Sequence, residues 1–238
     1  MFEGFDSPCA TTDPVFTAPS DIFSKISPNE FSDLLAIGTV RKYEKGEFIY
    51  RAGDPGMNVY FLRAGRVKIY QSSTLGREVI LWFCFPGEIF GLTEVVHGAG
   101  RAVNAQTCER AEVLCIARSQ FKDYLETHSA ASFVIMQALA CRMRVLGDML
   151  VNLIDDDVNS RIVKLMLRLS ACHGTRVGNE VHLNIRMTHQ EIADMVGTAR
   201  QTVTKVLSEL KLRGLLSIEN HRIRIRSQEL LNGHSRSS

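Results

Sequence analysis

The sequence predicts an α+β fold in three parts: an N-terminal β-roll, one long dimerisation helix and a C-terminal winged helix-turn-helix. Three observations carry the prediction. Glycine-punctuated β-rich runs fill residues 40–117, a Leu/Met heptad follows, and two short amphipathic helices joined at a glycine precede a basic strand pair. With 238 residues, 45% hydrophobic and 23% charged, the chain has room for one large or two modest globular units and is no wholly disordered polymer. No apolar run approaches the ~18 residues that span a bilayer. The start, MFEGFDSPCATTDP, has neither a basic n-region nor an apolar h-region. A cytoplasmic protein with no membrane association is therefore expected. Cys9, Cys84, Cys108, Cys115, Cys141 and Cys172 include no Cys-x-x-Cys pair, so they read as reduced thiols, mostly core filler.

Residues 1–20 carry Pro8, Pro14 and Pro19 among Ser, Thr and Asp and read as a loose arm. The roll is expected over 21–128. It opens with a short helix: Ser27 caps, Pro28 fits the first position, and Phe31, Leu34 and Leu35 make an apolar face. Strand-like runs then occupy 48–50, 59–62, 67–70, 79–83 and 113–116, separated by turns at glycines such as Gly65, Gly76 and Gly87.

The texture turns helical over 119–154, and residues 129–156 form the expected dimerisation helix. Met136, Leu139, Met143, Leu146, Leu150 and Leu153 are spaced 3, 4, 3, 4 and 3 apart. That alternation of 3 and 4, a 3.5-residue period, is what two helices wound together require. A helix packed only on its own domain shows a broader stripe. Asp155, Asp156 and Asp157 then form a joint, with Asp157 placed to cap a new helix over 158–172.

The C-terminal unit is expected over 157–238. Thr188-x-x-Glu191 and Thr198-x-x-Gln201 both read as capping boxes, with Gly197 at the turn between them. Ile192, Ala193 and Val196 give the first helix its apolar face, and Val203, Val206, Leu207 and Leu210 the second. This is a helix-turn-helix. The opposite face of the second helix carries Arg200, Gln201, Thr204, Lys205 and Ser208, side chains that hydrogen-bond base edges or hold phosphates. Runs at 215–218 and 223–226 then form a wing around Glu219, Asn220 and His221. Its second strand alternates Arg222, Arg224 and Arg226 with Ile223 and Ile225. Residues 157–238 hold 13 Lys/Arg against 7 Asp/Glu, whereas the rest of the chain holds 15 against 19. A basic module on an acidic body is an electrostatic footprint for double-stranded DNA. The expected DNA contacts are Arg200, Gln201, Thr204, Lys205, Thr188, Arg222 and Arg224. No nucleophile–base pair, phosphate-binding glycine loop or metal-ligand spacing supports an enzyme.

The order of roll, long helix and winged helix-turn-helix resembles the CRP/FNR family of bacterial transcription regulators. The resemblance runs over 22–231 and rests on KGEFIYRAGDPGMNVYFLRAGRVKIY (45–70), PGEIFG (86–91) and MTHQEIADMVGTARQTVTKVLSELKLRGLL (187–216). It implies a cyclic-nucleotide-binding-like roll, a homodimer on a palindromic operator, and RNA polymerase as a partner. It also implies base contacts by Arg200 and Gln201 and a base or phosphate contact by Lys205. The cyclic-AMP-responsive branch usually has Glu at the middle position. Gln201 there implies a half-site that departs from TGTGA at one step.

The resemblance places an effector pocket between the roll and the long helix. In the cyclic-AMP branch a Gly-Glu-Leu segment and an Arg-Ser/Thr pair hold ribose and phosphate. Here the stretches read Gly91-Leu92-Thr93 and Arg101-Ala102, and the adenine-contacting Thr-Ser pair aligns with Leu146-Gly147. The missing polar partners argue against cyclic AMP. Arg101 and Arg142, with Gly91 and Leu146 beside them, instead suit a small anion and resemble the 2-oxoglutarate-sensing nitrogen regulators. The opposing reading is that both arginines simply pair with Asp or Glu. An iron–sulfur cluster would need more N-terminal cysteines than Cys9. Haem has only His97 and Cys84 as ligand candidates. Redox sensing at Cys108, Cys115 or Cys172 is unsupported, because nothing basic is clearly placed to lower a thiol pKa. The alternative to effector gating is a ligand-independent regulator controlled by abundance or redox state.

Overall fold

The computed structural model describes residues 25–219 and 222–226. The expected N-terminal arm, Cys9, and the wing turn at Asn220 and His221 lie outside these residues. Helix α1 (Pro28–Ala36) starts in the capping box formed by Ser27 and Glu30. The roll follows with β1 (Thr39–Tyr43), β2 (Phe48–Tyr50), β3 (Asn58–Ala64), β4 (Val67–Ser72), β5 (Glu78–Cys84), β6 (Ile89–Phe90), the short helix α2 (Leu92–His97), β7 (Asn104–Thr107) and β8 (Ala111–Ala117). Its strands form two antiparallel four-stranded sheets, ordered β1-β8-β3-β6 and β2-β7-β4-β5.

Alternate side chains of β3 and β8 split between two cores. Val59, Phe61, Leu114 and Ile116 meet Leu34 of α1 and the following helix α3 (Arg118–Thr127), through Phe121. Tyr60, Leu62 and Val113 meet Tyr50, Val67, Ile69 and Phe90 between the sheets. Each such side chain removed from water contributes about 1.5–3 kcal/mol.

Helix α4 (Ser129–Asp155) is 27 residues long. Ala131, Ile135, Ala138 and Val145 are buried along one side of it. Met136, Leu139, Met143, Leu146, Leu150 and Leu153 lie on an exposed stripe, each between 37% and 74% accessible in the single chain. Asp156 ends the helix in extended backbone, and Asp157 caps α5 (Val158–His173) by accepting from the Ser160 N–H at 2.7 Å. The joint is braced. Arg161 donates to the Asp156 and Val196 carbonyls at 2.9 and 3.1 Å, and Lys164 donates to Asn152 and Asp156 at 3.1 and 2.8 Å.

The C-terminal unit continues with β9 (Gly174–Val177), β10 (Glu180–Arg186), α6 (His189–Val196), α7 (Arg200–Leu212), β11 (Leu216–Glu219) and β12 (Arg222–Ile225). Its sheet runs β11-β12-β10-β9. One hydrophobic core joins this unit to the roll, with Tyr70, Ile80 and Phe83 packed together with Ile162, Met166, Ile192 and Val203. Across the same boundary Arg66 donates to Glu191 at 2.8 Å, both side chains being largely buried.

Two sequence expectations are corrected in detail. Strands β1, β6, β7, β9 and β10 have no counterpart among the expected runs. The second capping box does not form: the Thr198 N–H closes the end of α6 on the Ala193 carbonyl at 3.0 Å, and Ala199 takes the cap position of α7 without a side-chain bond. Gln201 is thereby the second helical residue, one position short of the reach a capping box needs.

Replacing the cap of α5 tests the joint. Asp157→Ala is expected to cost about 1 kcal/mol in urea unfolding. Hydrogen bonds from Ser160 hold the Asp157 carboxyl below its usual value. A depressed carboxylate stabilises above its unfolded pKa and loses that contribution as pH falls through the folded one. The gap between wild type and variant should therefore shrink below about pH 4.

Candidate nucleic-acid interface

The helix-turn-helix presents its polar face to solvent. Thr188 caps α6 by accepting from the Glu191 N–H at 3.1 Å, while Glu191 Oε2 accepts from the Thr188 N–H at 2.8 Å. Gly197 turns the chain with a φ of 69°, a left-handed conformation that glycine adopts without strain. Val203, Val206, Leu207 and Leu210 bury one face of α7. Arg200, Gln201, Thr204, Lys205 and Ser208 remain exposed on the other. Arg200, Gln201 and Lys205 have no side-chain partner among the described residues, so their donors are open. Thr204 is different: its hydroxyl donates to the Arg200 carbonyl at 3.0 Å and lies 2.8 Å from His189 Nδ1. That contact ties the two helices together.

On the wing, Ile223 and Ile225 are buried and the arginines alternate with them. Arg224 pairs with Glu219 at 3.1 Å and Arg226 with Glu180 at 3.5 Å. Arg222 lies opposite Arg186 in the β10–β12 register and has no carboxylate partner among the described residues.

The roll places Arg101 and Arg142 against different carboxylates. Arg101 is buried, its side chain 0% exposed. Its Nη1 donates to the Gly91 carbonyl at 2.8 Å and to Glu94 Oε2 at 3.0 Å, and its Nη2 donates to the Asn58 carbonyl. The guanidinium carbon sits 4.2 Å from the Tyr50 ring centre. Gly91 has a φ of 75°, and a Cβ there would stand 2.9 Å from Arg101 Nη1. Leu92, where the resemblance implied a ribose-binding Glu, is buried. Glu94 occupies the guanidinium from within the chain.

Arg142 on α4 faces Glu88 at 3.7 Å, too long for a hydrogen bond, and lies over the Trp82 ring at 5.6 Å. Glu88 Oε1 and Arg142 Nη2 are both buried without a hydrogen-bond partner. Beside them is a cavity of about 30 Å³ lined by Trp82, Glu88, Arg142, Val145 and Leu146. That is about the volume of one water molecule. Burial pushes the Glu88 carboxyl up to about 7, against the pull of Arg142. Glu88 and Glu94 escaped the sequence reading, and Glu191 was read only as part of a capping box, because no local pattern announces which arginine a carboxylate will meet.

Among the described residues no group of three or more His, Cys, Asp or Glu is placed to hold a metal ion. His97 ends α2. Burial pushes the Cys84 thiol up to about 12 and Cys108 up to about 11, so neither is a ready thiolate. No described helix is long and apolar enough to cross a membrane.

Two predictions test the roll. Glu94→Ala leaves Arg101 buried without its carboxylate and should cost about 3–5 kcal/mol in urea unfolding. Glu88 gives a pH signature. A carboxyl raised in the folded state favours folding fully below its unfolded pKa, near 4.5, and loses that contribution as pH rises through about 7. Roughly 3 kcal/mol of stability should fade over that window. Glu88→Gln should flatten this slope; parallel pH profiles for both proteins would contradict the assignment.

Comparison with known proteins agrees with the geometry. Residues 40–128 match the cyclic nucleotide-binding domain and residues 160–233 the Crp-like helix-turn-helix domain. The chain is 27% identical over 219 residues to the CRP-like cAMP-activated global transcriptional regulator of Mycobacterium tuberculosis, covering 92% of this chain and 98% of that one. It is 27% identical over 195 residues to the global nitrogen regulator of Synechocystis sp., covering 81% and 87%. A CooA variant from Carboxydothermus hydrogenoformans shares the fold with a TM-score of 0.79 at 22% identity, covering 93% of this chain and 98% of that one. With both domain matches in this order, the chain belongs to the CRP/FNR family of transcription regulators.

Proposed function

We propose that the protein acts as a homodimer on a palindromic operator, α7 of each protomer entering the major groove of one half-site. The observation that carries this is the seam on α4. Six Leu and Met side chains at heptad spacing stand exposed along one stripe, and an apolar stripe of that kind on a soluble helix is covered by a partner. A twofold pair of such helices sets two copies of α7 apart, and their separation has to match one turn of DNA, ~34 Å. Arg200, Gln201 and Lys205 read or clamp the groove, Thr188 and Arg224 approach the backbone, and Thr204 stiffens the unit while offering its methyl group to a base. DNA is the partner that follows from this, in the cytoplasm, with RNA polymerase as the family's further partner.

Gating falls to the roll. Arg142 sits on the seam helix, held to Glu88 only loosely, beside a cavity too small for any effector larger than water. A small anion that displaces Glu88 from Arg142 would have to move α4, and with it Leu146 and the seam. The braced joint at Asp156 passes that movement to α5. 2-Oxoglutarate suits this chemistry better than cyclic AMP. A specific observation favours the second reading, a ligand-independent regulator: both terminal nitrogens of Arg101 are already engaged, by Glu94, Gly91 and Asn58.

Fluorescence anisotropy of a palindromic duplex at fixed salt separates these readings. Arg200→Ala should weaken operator binding by about 10- to 100-fold, the loss of one bidentate base contact. Leu146→Lys should give a monomer in sedimentation and abolish specific binding. A Leu146→Lys protein that stayed dimeric and bound tightly would end the seam model. Affinity raised by 2-oxoglutarate supports gating at Arg142; tight binding indifferent to both compounds supports the ligand-independent reading.

A further inference from the structure

A cleft of about 600 Å³ separates the roll from the C-terminal unit, away from the seam and from α7. Arg66, Phe85 and Glu109 line it from the roll, and His173, Arg186 and Arg222 from the C-terminal unit. The volume is that of a site for a small organic ligand. Arg186 and Arg222 stand directly opposite each other on adjacent antiparallel strands, an arrangement of like charges that costs stability unless an anion sits between them. Neither has a carboxylate partner among the described residues. Arg66 supplies a further cationic group at the cleft, with one nitrogen unpartnered. One of its terminal nitrogens bonds Glu191, and the other, Nη1, is buried with no partner. Its side chain is 9% exposed. Phe85 of the roll and His173 of the C-terminal unit meet at the cleft with ring centres 3.8 Å apart and planes tilted by 37°.

We infer that this cleft is a binding site for a phosphate-bearing small molecule, gripped by Arg186 and Arg222 and touching both halves of the chain. Two guanidinium forks match the oxygens of a phosphate or diphosphate two-pronged. Glu109 carries the one carboxylate on the wall, and it sits on the roll side, opposite the arginine pair. DNA is the competing claimant for Arg222. Phe85 and Pro86 line the cleft from the roll side and a duplex far exceeds its volume, so DNA would reach Arg222 only at the mouth, where both arginines are exposed.

Titration calorimetry of the full chain with pyrophosphate at low ionic strength tests the site without using DNA, so its failure is separate from any failure of the operator model. One saturable site per chain is expected, weakened about tenfold in Arg186→Gln, the loss of one charge-assisted contact. Arg176→Gln, an equal charge change on β9 outside the cleft, should leave it unaltered. Equal weakening in both variants would mean diffuse attraction and overturn the proposal, as would the absence of saturable binding. If pyrophosphate fails to bind while Arg186→Gln lowers the salt slope of DNA binding by about one, the pair faces the DNA backbone and the site does not exist.

Discussion

Glu191 satisfies two sets of donors that belong to different halves of the molecule. Its Oε2 accepts from the Thr188 N–H and so starts α6; its Oε1 accepts from Arg66 on the roll. The reading head therefore cannot leave the roll without uncovering Arg66, which is buried and already short of one partner. Removing one member of a buried charge pair costs more than the pair itself contributes. The shared core of Tyr70, Ile80 and Phe83 with Ile192 and Val203 supplies the apolar part of the same junction. The position of α7 relative to the roll is thus set by one carboxylate and a patch of apolar packing, and the cleft opens beside that junction.

The roll shows two contrasting ways of holding an arginine. Arg101 meets a carboxylate, two carbonyls and a tyrosine face, all at contact distance. Its Nε is buried without a partner, but both terminal nitrogens are held at hydrogen-bonding distance, so the guanidinium is fixed to its carboxylate. Arg142 and Glu88 are nearly as buried yet stand 3.7 Å apart with an unsatisfied atom on each side. The raised Glu88 carboxyl has the same origin, because desolvation exceeds what a distant guanidinium returns. An under-satisfied pair has other arrangements close in energy. The tight arginine belongs wholly to the roll, whereas the loose one joins the roll to the seam helix.

Elements whose signal is local were legible in the sequence. Ser27 and Asp157 cap α1 and α5, Gly197 turns between the reading helices, and the alternation of Ile223 and Ile225 with arginines gives the wing strand. Elements defined by pairing were not. Strand β1 is exposed along nearly its whole length and shows no apolar alternation. Strand β10 alternates Val181 and Leu183 with His182 and Asn184, a period-two signal that was present but lay beside a conspicuous helix-turn-helix. The candidate site divides the same way. Arg200, Gln201 and Lys205 follow from helical periodicity alone. The partners of Arg66 and Arg101 do not, since Glu191 lies 125 residues from Arg66 and Glu94 stands two residues past Leu92, where the resemblance placed the acid.

In the proposed dimer, the bracing of the joint gives a small change in the roll a path to the DNA. Arg161 and Lys164 tie the last turn of α4 to α5 and, through the Val196 carbonyl, to the end of α6. Leu153, the last seam residue, is near enough to the turn that a Cβ at Gly197 would stand 3.6 Å from it. In the proposed dimer a rotation of α4 about the seam would therefore carry the helix-turn-helix with it rather than being absorbed at Asp156. The unsatisfied contacts lie elsewhere, at the Arg142–Glu88 pair and at Arg66 beside the cleft. A switch needs a rigid arm and a soft latch. This chain puts the rigid arm between the seam and α7, and both of its soft contacts against the roll.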